Sequence, residues 1–463
     1  MVINFSKISK FLLYLVPFAA VIVYAGSLFP FIVGKYVFFR TVIDLALIFF
    51  VFGWAAGEVK IPSFKKWFSN PLALFIFLFT LIYVVAGLSG YDPGSSFWSN
   101  FERGEGGLQM LHLFIYFALL GFLFTDDKSW LRIFIISIWS AVLVALYGIA
   151  AAMGIGDFIG ASLCERFAGS LGNSAYTGTF MFFAAFYAFY MANEKKWKGT
   201  ALWLWAPLAV VFSGFLFLSQ TRGALLGFGT AIILGLVYFF FSLPKSKVKN
   251  IILITIVVLV AGGLLAIRYR KSIDLMPFCG GGNRIIDISF STQNYQTRLL
   301  LWKEAITAWK ERPILGWGAE NFTPAFEKYY NTKHFDPAQR QNPETRYSQV
   351  WFDRAHSIYF DYLVFGGALG LLSFLGIFAA YFWKFFKFNK ENPVENHKTG
   401  KVNYQALIRK TLIFAIPVAY MVQGMVLFDV LPIYLNIFLV LAFANWKLGQ
   451  QPTANSQQPT SRR

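Results

Sequence analysis

Three arginines and one histidine stand where their charge or basicity is unusual, each at or near the start of a predicted helix. Arg222 lies in Ser219-Gln220-Thr221-Arg222-Gly223-Ala224, between two apolar runs. A helix N-terminus already carries partial positive charge, so a guanidinium is badly placed there unless an anion joins it. Backbone N–H groups and the guanidinium then hold a phosphate between them. An arginine that only reaches for lipid headgroups gives the same local pattern. Arg298, in Tyr295-Gln296-Thr297-Arg298-Leu299, repeats the Thr-Arg pair at a second helix start, with a solvated surface charge as the alternative. Arg166 opens Arg166-Phe167-Ala168-Gly169-Ser170-Leu171-Gly172-Asn173, whose glycines either let backbone approach a ligand or form only a turn. Three such arginines on one face would neutralise a diphosphate; residue type alone does not bring them together.

His356 occurs in Arg354-Ala355-His356-Ser357-Ile358-Tyr359. Imidazole takes a proton near neutral pH without a large pKa shift, which suits a general base, although a packed or solvated histidine reads the same way. No HExxH, Asp-x-Asp or Cys/His cluster at ligand spacing occurs, so no metal and no other cofactor is expected. The lack of a P-loop or Rossmann glycine pattern argues against a nucleotide donor.

The elements that must position these residues are apolar. Of 463 residues, 57% are hydrophobic and 14% charged, against roughly 25% charged in a soluble globular chain. An ordinary soluble enzyme is excluded. Runs long enough to cross a hydrocarbon core about 30 Å thick cover 11–29, 41–57, 71–89, 109–124, 132–153, 175–192, 202–219, 224–243, 251–268, 366–386, 407–428 and 430–446. They predict an all-α polytopic membrane protein of about twelve transmembrane helices, forming one domain over 1–446. The first run lacks a small-residue cleavage site and reads as a retained helix. The net charge of +18 fits Lys and Arg gathered at cytoplasmic ends; no aromatic-basic reader motif points to nucleic acid.

Lysine-rich breaks at Lys60-Lys65-Lys66, Lys195-Lys196-Lys198, Lys245-Lys247-Lys249 and Lys384 to Lys410 fall on every second connection, which makes that side cytoplasmic. Both termini are then cytoplasmic, the polar tail 447–463 is expected to be disordered, and the membrane is the inner, cytoplasmic one. Residues 269–355 form a large extracytoplasmic insert between helices nine and ten. It contains a predicted amphipathic helix at about 296–312, with Leu299, Trp302, Ile306 and Trp309 at helical spacing, expected to lie against the bilayer surface. Pro313 stops it and Gly316-Trp317-Gly318 turns the chain. Cys164 and Cys279 both fall on the extracytoplasmic side, where a disulfide is chemically allowed; their spacing leaves the pairing open.

The order of these segments resembles the O-antigen ligase and polymerase superfamily. The resemblance rests on Arg166-x-x-Gly169-x-x-Gly172-Asn173, Ser219-x-Thr221-Arg222-Gly223-Ala224, and Thr297-Arg298 with Trp302. Pro313-x-x-Gly316-x-Gly318-x-x-x-Phe322, His356-Ser357-x-Tyr359 and Leu363-Val364-x-x-Gly367-x-x-Gly370 complete it. It implies a metal-independent, extracytoplasmic glycosyltransferase with a polyprenyl diphosphate-linked glycan as donor and a glycolipid or other hydroxyl as acceptor. Arg222 and Arg298 would stabilise the leaving diphosphate and His356 would activate the acceptor hydroxyl. Arg166, Asn173, Thr221, Gly223, Tyr359 and Asp361 would line the substrate site. Two positions depart from the family's usual pattern: Ser357 replaces Asn, and Phe365 replaces a Glu nine residues after the histidine. Asp361, one helical turn before Phe365, is the candidate replacement carboxylate. A polymerase, a protein O-oligosaccharyltransferase, a catalytically silent scaffold of the same fold and a flippase of lipid-linked sugars remain as alternatives.

Overall fold

The computed structural model describes residues 3–100, 102–156, 158–160, 166–199, 201–244, 246–269, 293–329, 352–395 and 399–450. Cys164, Cys279, His334 and the tail beyond residue 450 lie outside the described residues, as do 270–292 and 330–351 of the insert.

In chain order the helices are α1 (Phe5–Leu15), α2 (Val33–Ala55), α3 (Phe64–Phe68), α4 (Pro71–Leu88), α5 (Pro93–Trp98), α6 (Gly107–Leu123), α7 (Asp127–Ala152) and α8 (Ser174–Glu194). They continue as α9 (Ala206–Leu218), α10 (Arg222–Ser242), α11 (Lys247–Arg268), α12 (Gln293–Glu311), α13 (Phe322–Glu327), α14 (Ile358–Glu391), α15 (Tyr404–Gln423) and α16 (Leu431–Lys447). Among the described residues, seven helices are long and apolar enough to cross a membrane, namely α2, α4, α7, α10, α11, α14 and α15. Three shorter apolar helices, Gly107–Leu123, Leu202–Leu218 and Leu431–Lys447, join them. The protein is a multi-pass membrane protein.

The first predicted span is not one helix. α1 ends at Leu15, and Pro17 lies in the first turn of a 3-10 segment over Val16–Ala20. A proline ring clashes with the carbonyl four residues back and supplies no N–H, so the α-helix stops. α2 begins earlier than hydropathy suggests because it buries a charge. The Lys35 ammonium donates to the carbonyls of Ala20 (3.0 Å), Ile22 and Ser170 (2.9 Å), an interior cage of acceptors.

α16 is short but central, with every residue from Leu431 to Ala444 buried. Around it Trp130, Phe134, Tyr190 and Phe443 pack edge to face, with Trp130 and Phe443 centred 5.5 Å apart. α11 lies at the opposite extreme, with no buried residue.

α14 is broken. Gly367 has φ 62° and ψ −157° inside it, a conformation that is essentially glycine's alone. The break frees backbone groups that the first stretch after α12 takes up. Trp317 N–H donates to Val364 O (2.7 Å), Gly318 N–H to Phe365 O (3.0 Å), Ala368 N–H to Pro313 O (2.8 Å) and Leu369 N–H to Ile314 O (3.2 Å). Irregular backbone in an apolar bundle persists only where protein satisfies it in this way. The insert is thereby stitched to a membrane-crossing helix.

α12 packs on α14 through Leu301, Ala305 and Ala308, all buried. The expected stripe is on a different face, with Leu299 and Ile306 exposed at 39% and 37%. Small alanines let the two backbones approach, and the two tryptophans act through their indole N–H groups, Trp302 toward Ala355 O (3.1 Å) and Trp309 toward Pro313 O (3.0 Å).

A Cβ on Gly367 would stand 2.3 Å from Ile314 O. Gly367→Ala should therefore lose about 3 kcal/mol or more of stability, read as a large drop in melting temperature of the purified protein. Gly229→Ala, in α10 with open space around it, should be neutral or slightly stabilising. Equal melting temperatures for the two variants would refute the stitch.

Candidate active site

The site forms where the N-termini of α10 and α14 meet the connection 424–430. Ile358 N–H, an orphan donor in the first turn of α14, is taken by Gly424 O (2.9 Å) and Leu427 O (3.1 Å). On the other side a Cβ on Gly223 would lie 2.7 Å from Val426 Cγ2, so only glycine admits this approach of α10. The same connection presents Phe428, whose ring meets the His356 imidazole edge to face at 5.3 Å.

His356 is held by its predecessor. Ala355 is fully buried; its N–H donates to Asp361 Oδ1 (2.7 Å) and its C=O accepts from the Trp302 indole (3.1 Å). His356 itself has φ 57°, a left-handed conformation unfavourable for a residue with a side chain. Its Nδ1 lies 3.2 Å from Arg354 O. A carbonyl only accepts, so Nδ1 carries the proton and Nε2 keeps its lone pair. Burial and the Arg298 and Arg103 charges draw the imidazole pKa below its ordinary value, against the pull of Arg354 O and Asp353. The ring is neutral and basic at neutral pH.

Trp302 stacks on Phe360 (5.2 Å, 17°) while it holds Ala355. Arg298 is one turn earlier on the same face of α12 and so comes beside the histidine. Burial and the Arg222 charge lower the Arg298 pKa. The structure thus brings Arg298 within electrostatic reach of both Arg222 and His356. Like-charged guanidinium groups in a partly buried place are costly unless an anion joins them. Arg222 is the first residue of α10, with Thr221 as its N-cap.

Other predicted residues take different places. The Arg166 segment is drawn to the Arg222 junction, with Phe167 N–H donating to Leu218 O (3.0 Å) and the Thr221 hydroxyl to Ser174 O (3.0 Å). Thr221 and Gly223 thus serve packing in this arrangement. Asn173 caps α8, its Oδ1 accepting from Ala175 N–H (2.8 Å). The Tyr359 hydroxyl donates to Met421 O (2.8 Å), joining α14 to α15. Asp361 sits beneath Ala355, its Oδ2 buried with no hydrogen-bond partner.

Sequence reasoning missed a buried charge network. Arg354 binds Glu320 (2.6 Å) and Glu105 (3.3 Å), and its guanidinium lies 5.1 Å above the Phe365 ring. The carboxylates around Arg354 therefore come from other segments, while position 365 offers an aromatic face. Arg103 pairs with Asp353 (2.5 Å) and stands 5.1 Å over Phe428. Burial works against the charge on Arg354, but Glu320, Asp353 and Glu105 more than offset it and hold its pKa well above the ordinary value. Asp353 is likewise held low by Arg354 and Arg103 despite burial. The only sequence signal for Phe428 was Gly424 followed by Asp429 and Pro432, a breaker pattern hidden among apolar neighbours.

Residues 207–375 match the family model described as O-antigen ligase. That match supports the O-antigen ligase superfamily for this stretch of the chain. The O-antigen ligase match runs from α9 to the part of α14 beyond its break, and it contains Arg222, Arg298, Trp302, His356 and Asp361. Arg103, Glu105, Arg166 and Phe428 lie outside it. No curated protein matches the chain significantly. The similarity over this stretch supports a glycosyltransferase-like ligase or polymerase type for a multi-pass membrane protein.

Arg354→Met should strand Glu105 and Glu320 as uncompensated buried charges and cost about 3–5 kcal/mol, read by thermal unfolding. Arg354→Lys should lose less. A methionine variant as stable as wild type would show that the network holds nothing in place.

Proposed function

We propose that the protein transfers a glycan from a polyprenyl diphosphate carrier to an acceptor hydroxyl on the extracytoplasmic face of the cytoplasmic membrane, without a metal ion. The observation that carries this reading is the juxtaposition of Arg298 with both Arg222 and His356. The acceptor oxygen attacks the anomeric carbon as the bond to the diphosphate oxygen breaks. The bonding electron pair leaves with the diphosphate, and the hydroxyl proton passes to His356 Nε2.

Each role follows from charge. Negative charge grows on the leaving diphosphate, and two guanidinium groups already fixed in a partly dry site stabilise it without reorganising. The neutral imidazole is a competent base because its Nδ1–H is committed to Arg354 O. Asp361 acts through backbone: by holding Ala355 N–H it fixes the turn that presents the imidazole. Arg166 supports the donor side, its neighbour Phe167 being tied through its N–H to Leu218 O beside the Arg222 junction. A growing glycan as acceptor, the polymerase reaction, uses the same chemistry.

Reconstitution with a polyprenyl diphosphate glycan, followed by chromatography of the released carrier, tests the assignment. Arg222→Ala, Arg298→Ala and His356→Ala should each lower turnover by about 100-fold or more; turnover equal to wild type in all three would remove these roles. The pH dependence has a definite sign. Because the imidazole pKa lies below its ordinary 6.5, the rate should be flat near pH 7 and fall only as pH drops through that depressed value. An acid limb centred above pH 7 would point to another base.

A further inference from the structure

A cavity of about 260 Å³ lies one aromatic ring away from His356 and takes no part in the steps above. That ring is Phe428. The imidazole meets it at 5.3 Å, Tyr176 at 5.8 Å, and Arg103 stands over it at 5.1 Å. Arg103 and Tyr176 also line the cavity, with Phe31, Tyr36, Glu105 and Asn173. Asn173 is exposed, so the cavity reaches the protein surface there. The volume falls just below the ~300–1,000 Å³ of drug-sized ligand pockets, which suits one sugar ring and is too small for a lipid chain.

The lining offers apolar faces and unused hydrogen-bonding groups together. Phe31, Tyr36 and Tyr176 supply rings against which the C–H face of a pyranose can lie. The Tyr176 oxygen accepts from Arg103 (3.3 Å), leaving its own O–H to donate. Asn173 uses Oδ1 to cap α8, leaving its Nδ2 donors. The charged groups are already engaged: Arg103 is bound to Asp353, Glu105 to Arg354, and Lys35, which also lines the cavity, spends its three N–H donors on the carbonyls of Ala20, Ile22 and Ser170. An anionic ligand would have to break a buried ion pair or draw the Lys35 ammonium out of its carbonyl cage, a costly exchange either way. A neutral hydroxylated ring would not.

All the lining residues lie outside the family-matched stretch 207–375, whereas the arginines assigned to the diphosphate lie inside it. We propose that this cavity is the subsite for a neutral pyranose residue of the acceptor glycan, adjacent to the residue whose hydroxyl reaches His356. The term acceptor rests on the transferase reading above; the binding of a neutral sugar does not.

The test is an array of neutral, acidic and phosphorylated oligosaccharides probed with the full chain held in lipid nanodiscs. Wild type should bind neutral glycans. Leu431→Trp, which puts bulk into the cavity wall, should weaken that binding at least tenfold, and Tyr176→Phe several-fold. Should the tryptophan variant fail to fold, the nearly isosteric Tyr176→Phe decides. Retention of acidic glycans only, of no glycan, or of neutral glycans with equal strength by wild type and variants would overturn the subsite. Carrier release is measured in parallel on the same preparations. A wild type that binds neutral glycans through this cavity yet releases no carrier would overturn the transferase reading and leave the binding site standing.

Discussion

The break in α14 is the constraint on which the site depends. An apolar helix cannot leave backbone N–H and C=O groups unpaired in a bundle without water. Here the stretch 313–318 closes the gap, hydrogen bond by hydrogen bond. That closure fixes the start of the insert in space. α12 lies just before it and carries Arg298 and Trp302, while Glu320 follows it and reaches Arg354. A satisfied backbone defect thus decides where a guanidinium, an indole and a carboxylate stand.

From there the geometry runs through short links. Asp361 holds the N–H and Trp302 the C=O of the same residue, Ala355, and the next residue is His356. Glu105 and Asp353 bring the connection before α6 to the same place through Arg354 and Arg103. The cationic histidine neighbourhood is therefore built from segments far apart in the chain. No single helix contains it.

Much of this was legible beforehand. The apolar runs and the turn at Gly316-Trp317-Gly318 follow from local chemistry, and Arg222 does open α10, whereas Thr297-Arg298 fall in the second turn of α12, which begins at Gln293. What stayed hidden was hidden for physical reasons. Lys35 falls between the predicted spans 11–29 and 41–57, where nothing in the sequence shows that it is caged by carbonyls. The run 11–29 was apolar throughout, so hydropathy could not register the stop imposed by Pro17. Phe428 ended the predicted span 407–428, and Asp429 alone separated it from 430–446, a gap too short to read as a loop. The protein-packed face of α12 went unread because Ala305 and Ala308, which set how closely helices approach, carry little hydropathy signal. Long-range pairs such as Arg103 with Asp353 leave no periodic trace at all.

The backbone at His356 carries a further implication. An imidazole-bearing residue is kept in a left-handed conformation that glycine would adopt at no cost. The position is thus a point where robustness and reactivity pull apart. A chain relieved of any demand for a base would gain by shedding the side chain there, and the presence of a histidine marks a fold that still tolerates local discomfort in exchange for a lone pair in a fixed direction.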